Sequence, residues 1–473
     1  MHLRVSVATI LPVVGVLLAW PPRAGAPEPV PPLPSPAQIA WQRMETNAFV
    51  HFGPNTFTNV EWGSGREDPA VFNPSAFDAR QWVRAFKAGG MKGVILTAKH
   101  HDGFCLWPSK LSAHTVARSP WRGGRGDVLR EVSDACREAG LKFGLYLSPW
   151  DRNHPAYGTP EYNAVFVRML EEVLGTYGPV FEVWFDGANG EGPNGKRQVY
   201  DWPAFHDTVK RLQPDAVIFS DGGPGVRWVG NERGQGSITS WSLLDRHRYE
   251  PGTPFSDDLG EGSALGRDWV PPECDVSIRP GWFYRASEDA RVKPASRLFE
   301  LYEQSVGRNC QLLLNVPPDT RGLVAEPDAD SLAGMRRAIE AAYGSNLAAS
   351  ARAVADAQRD GFEASRAVDE DGGTFWAVPE SATRGTLTLA WPATVVFDRV
   401  VLQEPIALGQ RVAEFEIEAV HDGQWTRIAA GSTIGYKRIV VVPRTTTDRV
   451  RVTIHESRAC PLISEIGIFQ LPG

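Results

Sequence analysis

Two hydrophobic periods alternate along much of the chain. W-V-R-A-F-K-A-G-G (82–90), V-L-R-E-V-S-D-A-C-R-E-A-G (128–140), Y-N-A-V-F-V-R-M-L-E-E-V-L-G-T-Y-G (162–178) and F-H-D-T-V-K-R-L-Q (205–213) carry the helical period. Three of them stop at glycine and the last at Gln-Pro, as helix ends do. Each feeds a short apolar run: G-V-I-L-T-A-K-H-H (93–101), K-F-G-L-Y-L-S-P-W (142–150), V-F-E-V-W-F-D-G (180–187) and A-V-I-F-S-D-G-G (216–223). Such runs predict strands of a parallel sheet covered on its outer face. Alternating strands and helices mean an α/β fold, and a (β/α) barrel of TIM type suits the roughly three hundred residues available.

The pattern changes near residue 345. Beyond it T-L-T-L-A-W, R-V-V-L-Q-E, A-E-F-E-I-E-A-V, R-I-V-V-V-P and D-R-V-R-V-T-I alternate in period two, broken by turns such as H-D-G-Q. These predict an all-β sandwich. At the other end a basic start and an apolar run, too short and Pro-broken for a membrane span, precede Ala24-Gly25-Ala26. We read residues 1–26 as a secretory signal, 27–36 as a Pro-rich tether, 37–345 as the barrel and 346–473 as the sandwich. That organisation places the protein outside the cytoplasm, secreted or periplasmic, with no membrane span.

Composition narrows the chemistry. A net charge of −7 argues against nucleic-acid binding. Sixteen tryptophans suit a sugar-binding cleft as well as a core, because pyranose C–H faces stack on flat apolar rings. Five cysteines without C-x-x-C spacing argue against a zinc site. Their odd number leaves at least one thiol free or paired with another chain.

Chemistry in such barrels sits where strands end. His51, His100 and His101, Tyr146, Asp186 and Asp221 all fall at predicted strand ends. In F-E-V-W-F-D-G, residues 181–187, a strand finishes on a carboxylate. Asp-Gly is also an ordinary turn pair, so Asp186 needs a partner to be chemical. Glu232, in the irregular stretch V-R-W-V-G-N-E-R-G (226–234), is the candidate; two carboxylates across a cleft are what glycoside hydrolysis requires. The His pair lacks the companions of a metal motif, and no cofactor is expected in the chemistry.

W-F-D-G-A-N-G-E-G, K-H-H-D-G-F-C-L-W-P-S, H-F-G-P-N-T-F, V-E-W-G and Q-L-L-L-N-V-P-P-D resemble the α-L-fucosidases of glycoside hydrolase family 29, from about Trp41 to Pro318. The resemblance implies a retaining exo-α-L-fucosidase with Asp186 as nucleophile. W-V-G-N-E resembles the branch selective for α-1,3/1,4-linked fucose, which makes Glu232 the general acid/base. His51, Glu61, Trp62, His100, His101, Tyr146 and Trp184 match the family's sugar contacts. Trp62 and Trp282 are expected against the C5 methyl of fucose, and Trp228 is expected as apolar company for Glu232. Partners are then fucosylated oligosaccharides or glycoconjugates. A fucose- or galactose-binding protein on the same barrel, without turnover, is the alternative; it has no use for both carboxylates.

Asp102, Asp221 and Arg279 are read as structural. The stretch A-S-R-A-V-D-E-D-G-G-T-F-W-A, from Ala364, resembles discoidin-like (factor 5/8 type) modules. There Asp369 and Asp371 are candidates for a structural calcium, or for an acidic turn.

Overall fold

The computed structural model describes residues 25–254 and 256–472, so the signal segment, apart from Gly25 and Ala26, lies outside the described residues. Eight parallel strands close into a barrel: β1 (Thr46–Val50), β2 (Gly93–Lys99), β3 (Lys142–Leu147), β4 (Glu182–Trp184), β5 (Val217–Ser220), β6 (Val226–Trp228), β7 (Pro272–Ser277) and β8 (Gln311–Asn315), with β8 returning to β1. The predicted helices form as α1 (Ala79–Ala88), α2 (Val128–Ala139), α3 (Glu161–Leu174) and α4 (Trp202–Leu212). Asp78, Asp127 and Asp201 cap three of them by accepting backbone N–H groups of the first turn. Gly140 ends α2 in the left-handed region, at φ 75°, where a side chain would be strained.

Period two explains F-E-V-W-F-D-G. Val183 and Phe185 pack outward among the helices, whereas Trp184 joins the aromatic cluster inside the barrel. Glu182, Trp184 and Asp186 therefore share the inner side, one above the next.

The sequence leaves V-R-W (226–228) in a loop; the structure makes it β6. Five residues, 221–225, connect β5 to β6 without a helix, and Gly225 packs so close to the backbone of Ile218 that a side chain would not fit. A long excursion then separates β6 from β7 and carries Glu232.

The second domain is an antiparallel β-sandwich. Two long strands, β9 (Gly385–Gln403) and β10 (Arg438–Ser457), form its spine, with register shifts at Ala390/Val395 and Phe397/Arg399. The domains are joined at several points: Glu45 of the barrel accepts from Tyr302, Tyr436 and Lys437, and Ile439 N–H donates to Gly307. The Pro-rich segment, expected to be a tether, lies along the sandwich: Val30 N–H donates to Leu408, and Arg411 and Arg458 donate to the carbonyls of Glu28 and Pro31. All five cysteines are buried free thiols, and no described helix is long and apolar enough to cross a membrane.

Candidate active site

A cleft of about 170 Å³ opens at the C-terminal ends of the barrel strands. It gathers all ten residues singled out in the sequence: His51, Glu61, Trp62, His100, His101, Tyr146, Trp184, Asp186, Glu232 and Trp282. Phe49, Ala188 and Asp275 complete the lining.

Asp186 stands two residues beyond β4. Its Oδ1 accepts from Ala188 N–H at 2.8 Å and its Oδ2 from the Tyr146 hydroxyl at 3.0 Å; His101 Nε2 lies 3.6 Å from the same Oδ2. Gly187 does not have a positive φ, so the Asp-Gly pair is not a left-handed turn here. Glycine is required for a different reason: a Cβ at 187 would collide with the Asp221 carboxylate and the Gly252 amide.

The three histidines are neutral. Ser148 donates its own hydrogen to Trp150 O at 2.8 Å, so it accepts from His101 Nδ1–H at 2.7 Å. Asn315 uses its amide nitrogen on Ser277 and Trp282, so its oxygen accepts from His51 Nδ1–H at 2.8 Å. Both rings are thereby set with Nε2 as an acceptor. Burial pushes His51 and His101 down to about 4, and Asp186 opposes the shift in each. His100 is pushed well below its usual value by burial, then by His101 and His51. Uncharged acceptors suit the hydroxyls of a neutral sugar.

Glu232 lies four residues beyond β6. Partial burial holds its carboxyl above the usual range; a hydrogen bond from the Trp282 side chain opposes that rise and the charge of Asp186 adds to it. A raised acid beside a carboxylate with two donors is the asymmetry an acid–nucleophile pair needs. The Trp228 indole, expected as apolar company for Glu232, donates to Asp275 Oδ1 at 2.8 Å, and Asp275 in turn senses the charge of Glu232. Trp282, expected against a methyl group, lines the same cleft and has its side chain beside Glu232.

The aromatic walls divide the remaining work. Trp62, 55% exposed, stands at the mouth with its ring edge-on to His101 and Trp150 at 5.5 and 5.6 Å. Tyr146 stacks on Trp184 at 5.2 Å. Glu61 accepts from Trp282 N–H and from Arg285 at 2.9 Å, so it lines the cleft and also fixes the Trp282 loop. Arg279 is a buried cation paired with Asp328 and Asp289, and Asp221 accepts from Gly252 N–H. Among the described residues there is no cluster of three or more His, Cys, Asp or Glu that could hold a metal.

Asp275 is the residue that sequence reasoning missed. Burial raises its carboxyl well above the ordinary range, the charge of Glu232 adds to this, and Trp228 opposes it. Its signal was present: Glu273 and Asp275 alternate with the apolar Cys274 and Val276 in β7, and inward acids in a barrel strand are costly unless used.

The Tyr146 hydroxyl gives a direct test of this geometry. A hydrogen bond to a charged group contributes ~1.5–3 kcal/mol, so Tyr146→Phe lowers kcat roughly ten- to a hundredfold. Steady-state kinetics on an aryl fucoside measures it, and an unchanged kcat removes Tyr146 from the site.

Two carboxyl groups lining one cleft, neutral imidazoles and flat aromatic walls at the mouth of a β/α barrel define a glycoside hydrolase. Comparison with known proteins identifies the family. The alpha-L-fucosidase family profile matches residues 37–341, and the F5/8 type C domain profile matches residues 348–466. The chain is 43% identical to alpha-L-fucosidase 1 of Arabidopsis thaliana over 94% of its own length and 88% of that protein. The crystal structure of SpGH29 superposes with a TM-score of 0.90 at 38% identity, over 94% of this chain and all of that one. A Ruminococcus gnavus GH29 fucosidase in complex with fucose does so with a TM-score of 0.88 at 33% identity, over 95% and 97% of the two chains. The chain belongs to the α-L-fucosidase family.

Proposed function

We propose that the chain is a retaining exo-α-L-fucosidase that removes α-1,3/1,4-linked fucose from glycans through a covalent fucosyl-enzyme. In this reading Asp186 attacks the anomeric carbon while Glu232 protonates the departing glycosidic oxygen. Glu232 then takes a proton from the water that releases fucose. His51, His100 and His101 bind the sugar hydroxyls, with Trp62 and Trp184 as apolar walls. The observation that carries the reading is that Asp186 and Glu232 line one cleft, with the acid of the pair raised by partial burial and by its neighbour. A binding protein without turnover has no need of that asymmetry.

Product analysis tests both finer claims. Proton NMR of the first product formed shows α-L-fucose for retention; β-L-fucose appearing first makes the enzyme inverting. Hydrolysis of Lewis a and Lewis x trisaccharides outpaces that of 2′-fucosyllactose. The reverse order overturns the linkage assignment, and no turnover of any of the three supports the binding-only alternative. Export from the cytoplasm belongs to the same reading.

A structural calcium in the sandwich has its own support. Both carboxylate oxygens of Glu465 are buried without a partner, and burial followed by the charges of Asp369 and Glu370 pushes its carboxyl to about 8. A hard cation there takes oxygen ligands from Glu465 and Asp369. Asp371 closes the adjoining turn on Gly373 N–H. Calcium then raises the melting temperature and a chelator lowers it, with turnover of an aryl fucoside unchanged at low temperature. A melting curve indifferent to both removes the site.

A further inference from the structure

Below the cleft the barrel interior carries a polar layer where branched apolar side chains are usual. Glu182 on β4 and Glu273 on β7 are both fully buried there. Each carboxyl gives one oxygen to an indole: Glu182 Oε2 accepts from Trp41 Nε1 at 2.7 Å, and Glu273 Oε1 accepts from Trp184 Nε1 at 2.8 Å. The remaining oxygens, Glu182 Oε1 and Glu273 Oε2, have no donor in the protein, yet the two side chains are within hydrogen-bonding reach of each other. Two buried anions in contact without a cation are strongly unfavourable, and so are two orphaned oxygens. One proton between them removes both penalties.

We propose that Glu182 and Glu273 share a single proton and, as that carboxyl–carboxylate pair, act as positioning residues that hold Trp184 beneath the sugar. Trp184 lines the cleft and stacks on Tyr146, whose hydroxyl donates to Asp186. The pair therefore anchors the seat of the nucleophile without touching substrate. The role in binding rests on the fucosidase reading; the shared proton does not.

The proton has a thermodynamic signature. Burial pushes both carboxyls up, and the charge of Glu182 raises Glu273 further. The other polar side chains of this layer, Asn47 and Gln311, and the Trp41 indole do not titrate. Asp275, one layer higher on β7, and the buried Cys274 thiol are the titratable groups that sense Glu273. With a folded value above that of an unfolded glutamate, the native chain binds the extra proton. The stabilisation is full below about pH 4, the unfolded value, and is lost as pH rises through the folded one.

Melting temperature against pH, on the full-length protein, tests the pair. Glu273→Gln keeps an acceptor for Trp184 and gives Glu182 a permanent donor, so its melting temperature falls less steeply than that of the parent between about pH 5 and pH 9. Glu182→Gln does the same from the other side. Glu273→Val removes the anchor and raises KM for an aryl fucoside about tenfold with a smaller change in kcat, and KM recovers in Glu273→Gln. Parental slopes in both glutamine variants overturn the shared proton. A parental KM in the folded valine variant overturns the positioning role. The melting measurement needs no activity, so its outcome is separate from the fate of the fucosidase assignment.

Discussion

Asp186→Ala lowers kcat by at least about a thousandfold, with the fold intact. The expectation follows from what the carboxylate does under the proposed mechanism. Without it no bond forms on the face of the sugar opposite the leaving group, and the remaining donors and aromatic walls bind fucose without opening a path to the covalent intermediate. The side chain ends a strand at the cleft and is 27% exposed, so truncation leaves no closed cavity in the core. Circular dichroism and fucose binding check the fold; stopped assays check the rate. Turnover near the parental level defeats the nucleophile assignment. Azide added to this variant with an activated donor yields the β-azide, because the small anion enters from the side the carboxylate vacated.

Glu232→Gly separates the two halves of the reaction. Proton transfer to the leaving oxygen contributes about 10²–10⁴-fold, so natural linkages lose activity by that order. An aryl fucoside, whose leaving group needs little help, loses less in the first step. Azide restores turnover by intercepting the fucosyl-enzyme without base catalysis, and the product keeps the α configuration because Asp186 still blocks the other face. The opposite stereochemistry from the two variants is the signature of one nucleophile and one acid. In the parent enzyme the alkaline limb of kcat/KM lies above the ordinary glutamate value: the acid must be protonated to act, its carboxyl is held up by burial and by Asp186, and activity falls as pH rises through that raised value. An unchanged rate on Lewis trisaccharides in Glu232→Gly points to another acid.

The route from chain to site was legible wherever a period was present. Helical and strand periods placed β2 to β5 and α1 to α4, and the rule that barrel strands end in chemistry pointed to His51, His100, His101, Tyr146 and Asp186. The residues around F-E-V-W-F-D-G also carried their own orientation. Acids and indoles at every second position had to share one side of the sheet, and that side is the inside of the barrel.

Pairings across the barrel were not legible in the same way. Adjacency in sequence sets Trp228 near Glu232, but closure of the barrel is what gives the Trp228 indole its partner, Asp275, and brings Trp282, from a distant loop, beside Glu232. β6 escaped because three residues are too few to show a period, and the excursion after it has none. Asp275 and the Glu182–Glu273 pair escaped because a carboxylate in a strand becomes informative once its neighbours are known to be apolar walls and not water.

By itself, then, the order of residues determined the two architectures, the side each strand presents inward and the chemical groups delivered to the barrel's mouth, because these follow from local periodicity. The tertiary structure decided which group lies against, hydrogen-bonds or perturbs which other. Burial and through-space charge set those relations, and both depend on distances that the chain acquires when the barrel closes.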